Sequence, residues 1–160
     1  MSKGEIIQQL KTAHEGLREI LAHVSAETAE TVSITPEGAT VKDILSHLID
    51  WNIQFVRDFE DILNDSWIAI DNDTFNKASY IRRKHIPYQE VYAEWDSSID
   101  PVIAQLQSLT PEQWGHACKG TTWHDGSAIT IPWLFDYKYN GESHELGHGK
   151  EIQDALSTNG

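Results

Sequence analysis

His144 and His148 stand four residues apart in the run Glu142-Ser-His144-Glu145-Leu-Gly-His148. Residues at that spacing are neighbours on a helix surface, so two imidazoles can close on one metal ion from a single element. The apolar residues around them, Leu134, Tyr137 and Ile152, place both histidines on the inward seam of that helix. Two imidazoles buried without partners would cost several hydrogen bonds, and a divalent ion removes that cost. A third ligand must then come from His14, His23, His47, His85, His116 or His124. His14 sits on the apolar seam of the first helix, and His47 borders the buried stripe of the second. Spacing alone does not choose between them, and for either one a core histidine satisfied by a hydrogen bond is the plainer alternative.

The same stretch matches H-E-x-x-H, the zinc-protease pattern in which Glu145 would be the general base. That chemistry takes a further ligand downstream and a sheet edge to align the peptide. The residues after His148 contain no histidine, and no sheet is expected upstream. The match is therefore expected to be accidental. Glu142 and Glu145 flank His144 and are the candidate catalytic carboxylates, as base or as partner to a ligand. In an acidic chain both could equally be solvated charges. Cys118, the one cysteine, follows no zinc-module spacing and reads as an incidental thiol. Trp51 and Trp133 are the expected pocket residues, at a mouth formed with the 114–133 loop.

The elements that must position these groups read as four amphipathic helices. Ile7, Leu10, Leu17, Leu21 and Val24 mark the first, near residues 3–26. Val41, Ile44, Leu48, Trp51, Phe55, Phe59 and Ile62 mark the second, at 41–63, opened by Thr40 as its N-cap with Asp43 in the first turn. Asn64 to Pro87 is a long connection with a short amphipathic piece around Phe75, Ala78 and Ile81. Tyr88, Trp95, Ile99, Val102 and Leu106 mark the third helix, at 88–109, which Pro101 should bend. Thr110-Pro111-Glu-Gln113 opens one short capped turn. Gly115 to Ile131 reads as a polar loop, and the fourth helix is expected over 132–156. No sustained period-two alternation predicts a sheet. The fold class expected is all-α, a four-helix bundle with a long connection between helices two and three, in one domain over residues 1–160.

Composition narrows the partners. The 160 residues are 39% hydrophobic and 23% charged, which suits one globular core. One cysteine and no signal-like or membrane-spanning apolar run point to a cytoplasmic protein without a membrane partner. Twelve basic against 25 acidic residues give a net charge of −13. The basic run Arg82-Arg83-Lys84-His85 is far outweighed, so no nucleic-acid partner is expected.

Three stretches together resemble the DinB-like superfamily. Thr40-Val-Lys-Asp-Ile-Leu-Ser-His47-Leu-Ile-Asp-Trp51 is similar to its second-helix signature, Asp73-Thr-Phe-Asn76 to its D-x-F-N link, and His144-x-x-x-His148 to its fourth-helix motif. The order matches, over about residues 1–156. The chain departs in having Ala39-Thr40 where a tryptophan is usual, and in a glycine-rich fourth helix. The resemblance implies a bundle with a long connection between helices two and three. It also implies a solvent-open site for a divalent metal (zinc, nickel or similar) held by His47, His144 and His148. A low-molecular-weight thiol or a water would be activated there against a small-molecule electrophile, by a transferase or hydrolase. A homodimer stays open as the assembly. A related branch contains small-molecule resistance proteins, so a non-catalytic binding bundle is the alternative.

Overall fold

Local capping fixes where most of the helices begin. The computed structural model describes residues 1–159. Helix α1, Lys3–Leu21, opens on a capping box between Ser2 and Glu5, and α3, Val41–Leu63, on one between Thr40 and Asp43. Ser25 accepts from the Thr28 backbone N–H and starts a separate short α2, Ala26–Thr31, so the first helix ends earlier than its apolar spacing predicts. The long connection carries α4, Asn72–Arg82. Helix α5, Tyr88–Ser108, runs unbroken through Pro101, and α6, Pro111–Trp114, is the capped turn at Thr110. The last helix, α7, spans His144–Asn159.

The four long helices α1, α3, α5 and α7 form the bundle, with α3 packed on α5 and α1 on both α7 and α5. One core cluster gathers Leu17, Ile44, Leu48, Val91, Trp95 and Ile152. A second, at the other end, gathers Ile6, Phe59, Ile62, Val102, Leu106 and Phe135. Among the described residues, no helix is long and apolar enough to cross a membrane.

Two expectations are corrected. The stretch 115–131 is not all loop: strands β1, Ala117–Thr122, and β2, Ala128–Thr130, pair antiparallel around a turn at Asp125-Gly126. Cys118 and Ile129 are buried and close the second core cluster. Nor does the fourth helix begin at 132. Pro132–Phe135 is a single 3₁₀ turn. Asn140 and Gly141 then take left-handed φ of 51° and 77°, between Tyr139 and Glu142, whose backbones exchange hydrogen bonds of 2.9 and 3.0 Å. This is the two-residue Asn-Gly hairpin turn, and a helix cannot pass through it.

Asp58 on α3 is buried in the bundle and accepts one bond from Gln54, at 2.9 Å. Burial pushes its pKa up to about 6, above the ordinary 3.8. Because the folded-state value is the higher one, its favourable contribution is complete below pH 3.8 and is lost as pH rises through about 6. Asp58→Asn is therefore expected to be the more stable protein at pH 8, by about 2 kcal/mol, with the gap closing near pH 4. Urea unfolding at the two pH values measures it.

Candidate metal centre

Helix α3 carries His47 and α7 carries His144 and His148 to one point. The Nε2 of His144 lies 3.1 Å from that of His47 and 3.2 Å from that of His148. One ring nitrogen from each of the three falls within 4.8 Å of the others. His47 and His148 are buried, and His144 keeps some surface open to solvent. The structure thus brings together the three histidines that the family resemblance implies.

The outer nitrogens decide which protons are present. Nδ1 of His148 lies 3.0 Å from Glu151, and the Tyr139 hydroxyl also donates to that carboxylate, at 3.0 Å. Burial opposes ionisation of Glu151, but its contacts with His148 and Tyr139 hold its pKa below the ordinary value. An ionised carboxylate only accepts, so His148 donates from Nδ1 and turns a lone pair inward from Nε2. Nδ1 of His47 and the Oδ1 of Asn76 are both buried without a hydrogen-bond partner, and the Asn76 side chain acts on the His47 ring. Burial above all, with the repulsion that a proton on a neighbouring ring would add, pushes His47 down to about 3 and His144 well below the ordinary histidine value. Neutral imidazoles are the form that binds metals.

Two nitrogens each about 2.0–2.1 Å from a common ion lie roughly 3–3.4 Å apart, so the 3.1 and 3.2 Å contacts fit one divalent ion between the rings. Without an ion, the Nε2 of His144 carries either one proton or one lone pair and cannot make an ordinary hydrogen bond with both of its neighbours. The donor set suits zinc, nickel or a similar metal.

His14 is elsewhere. Its Nδ1 lies 2.8 Å from Oε2 of Glu145 and its Nε2 3.0 Å from the Asp96 carbonyl, while its ring stacks on Trp95. Burial pulls the His14 pKa down, but the bond and charge of Glu145, followed by Asp96, outweigh it and raise the pKa. Glu145 also accepts from Trp95 Nε1 at 3.3 Å and Asn52 Nδ2 at 3.4 Å. Its carboxylate does not meet at the triad. Glu142 is exposed, and its side chain makes no hydrogen bond among the described residues. Trp51 stands beside the site, its ring centroid 6.3 Å from His47 and 6.4 Å from His144. Trp133 packs instead with Trp67 and Trp123 against the far core cluster. His23, His85 and His124 are exposed, and His116 pairs with Asp65 at 2.8 Å. Sequence reasoning gave Glu151 no role as the partner of His148. The signal lay in its position three residues on, on the same helix face.

The glycines of α7 have a packing cause. A Cβ at Gly147 would collide with the Tyr139 carbonyl, and one at Gly149 would come within 2.9 Å of Ile20 on α1. They let the Tyr139 turn and α1 approach α7 closely, and the Tyr139 ring lies 4.4 Å from that of His148.

No family model matches the sequence, and no curated protein matches it. Solved structures do. The colibactin self-resistance protein ClbS, in complex with dsDNA, superposes with a TM-score of 0.73 at 13% identity, over 97% of this chain and 95% of that one. An uncharacterised protein from Escherichia coli UTI89 gives 0.72 at 13% identity, over 99% and 94%. YfiT from Bacillus subtilis, described as a probable metal-dependent hydrolase with an unusual four-helix bundle topology, gives 0.65 at 18%, over 98% and 87%. The chain shares the four-helix-bundle fold of these structures, the fold class expected from its sequence.

The ClbS complex corrects one expectation, that of no nucleic-acid partner. A protein of this fold has been crystallised with double-stranded DNA. The inference from a net charge of −13 fails because net charge sums over the whole surface, whereas a contact with phosphates needs only a local patch. Within 82–85, Arg83 is buried against Asp50 and Glu94, and Arg82, Lys84 and His85 are exposed.

Proposed function

We propose that the chain acts as one DinB-like domain that binds a divalent metal through His47, His144 and His148, and activates a thiol or water against a small electrophile. The observation that carries this is the convergence of three ring nitrogens at one point, with the Glu151 carboxylate on Nδ1 of His148 turning that ring's Nε2 lone pair inward. Zinc or nickel held there would supply a lowered pKa to a bound water, or hold a thiol as thiolate. The chain's own groups do the rest. Glu151 fixes the tautomer of His148, Asn76 bears on His47, and Trp51 covers one side of the site. Of the two carboxylates beside His144, Glu145 is assigned to positioning. Glu142 is the one left able to take a proton. The single cysteine suits a reducing, cytosolic setting, and a homodimer is the proposed assembly.

The test is cobalt substitution. A small thiol such as 2-mercaptoethanol is expected to change the visible spectrum of the cobalt-loaded protein, while casein and short peptides stay intact. A spectrum indifferent to thiol would count against the thiol arm. Peptide cleavage lost in Glu145→Gln but kept in His47→Ala would replace the reading with a protease.

The likeness to ClbS favours a second reading, a resistance protein that binds a small molecule, with duplex DNA as a partner. A gel shift with double-stranded DNA that is unchanged in His144→Ala, together with no bound metal in the parent, would favour it.

A further inference from the structure

Five aromatic side chains stand around the three imidazoles, drawn from separate elements. Trp51 on α3 meets His47 and His144 edge-on, and Phe75 on α4 packs on it at 4.6 Å. Tyr80, also on α4, lies 6.5 Å from His47. The turn before α7 contributes Tyr137, 6.0 Å from His144, and Tyr139, 4.4 Å from His148. None of the five is buried, and Tyr137 is 61% exposed. The bundle does not need them for its core, which Trp95 and Phe59 already fill. Partly exposed rings grouped around three imidazoles suit a binding surface.

The charges that bear on Tyr80 and Tyr139 are carboxylates. Glu151 lies at the base of the site, on His148 and Tyr139. The carboxylates of Asp43, Glu151 and Glu37 bear on Tyr80, which burial and those charges hold protonated above its ordinary range. A ligand carrying its own carboxylate or phosphate meets repulsion here, whereas a π-bearing ring finds faces and edges to stack on.

We propose that the site takes a flat, ring-bearing ligand, neutral or cationic, whose donor atom reaches the histidines while its ring lies between Trp51 and Tyr137. This rests on the metal reading above and adds the substrate class to it.

Benzohydroxamate and acetohydroxamate carry the same metal-binding group and differ by the ring. Titrated into the cobalt-loaded protein and followed by absorbance, benzohydroxamate is expected to bind about tenfold more tightly. The gap should shrink to about twofold or less in Trp51→Ala, and likewise in Tyr137→Ala, an exposed site at which folding is not at stake. A carboxylate in the para position of benzohydroxamate should weaken binding. Equal affinity of the two parent probes, or a gap untouched by both variants, overturns the inference and leaves the metal reading standing. Tighter binding of the carboxylate derivative overturns its charge preference. If cobalt binds and neither probe alters its spectrum, the open metal position fails, and the inference fails with it.

Discussion

Glu145→Ala is expected to destabilise the metal-free protein by about 3 kcal/mol, more than loss of any one of the clustered histidines. The carboxylate is buried, and donors from three other helices close on it: His14 from α1 at 2.8 Å, Asn52 from α3 at 3.4 Å and Trp95 from α5 at 3.3 Å. Removing it leaves the His14 and Trp95 N–H groups without an acceptor in the core. Asn52 keeps Ser98, at 2.9 Å. Glu145→Gln should lie between, since its amide offers one acceptor and brings an N–H toward groups that already donate. Denaturant unfolding of the metal-free proteins measures both. Unchanged stability in Glu145→Ala, with loss of a metal-dependent activity, would make this residue the base of an H-E-x-x-H site.

The second large effect is on metal affinity. His47→Ala, His144→Ala and His148→Ala should each weaken zinc binding by about a hundredfold or more, and Glu151→Ala by roughly tenfold to a hundredfold, because it orients His148 without touching the ion. The metal-free histidine variants should fold as well as the parent. Both core clusters are built from other residues, and removing one ring relieves the crowding of facing nitrogens. Competition against a chromogenic chelator gives the affinities, and circular dichroism reports the fold. Equal affinity across the series would dissolve the site.

Much of this architecture was legible in the sequence. The seams of α1, α3 and α5 lie along apolar spacings of three and four, and the Thr40–Asp43 and Thr110–Gln113 capping boxes mark two helix starts. The start of α7 was obscured because Leu134 and Tyr137 fall at helical spacing from His144, which outweighed a local sign, Asn140-Gly141, that no helix crosses. The hairpin was hidden for a related reason: β1 buries only Cys118 among six residues, too little to show alternation. Choosing between His14 and His47 was beyond spacing, since both lie on inward faces. What separates them is which side of α7 each faces. His47 meets both histidines of α7, and His14 meets the residue between them. Residues 144 and 145 point about 100° apart on the helix, so one turn of α7 supplies the triad on one side and an anchor on the other.

The central claim is that three imidazoles, one from α3 and two from α7, hold a single divalent ion. X-ray absorption at the zinc edge tests it most directly, on protein loaded with one equivalent of zinc and on His47→Ala prepared the same way. The account predicts a first shell with three imidazole nitrogens at about 2.0–2.1 Å in the parent and two in the variant. A shell made mainly of carboxylate or water oxygens, or identical spectra from parent and variant, would contradict it.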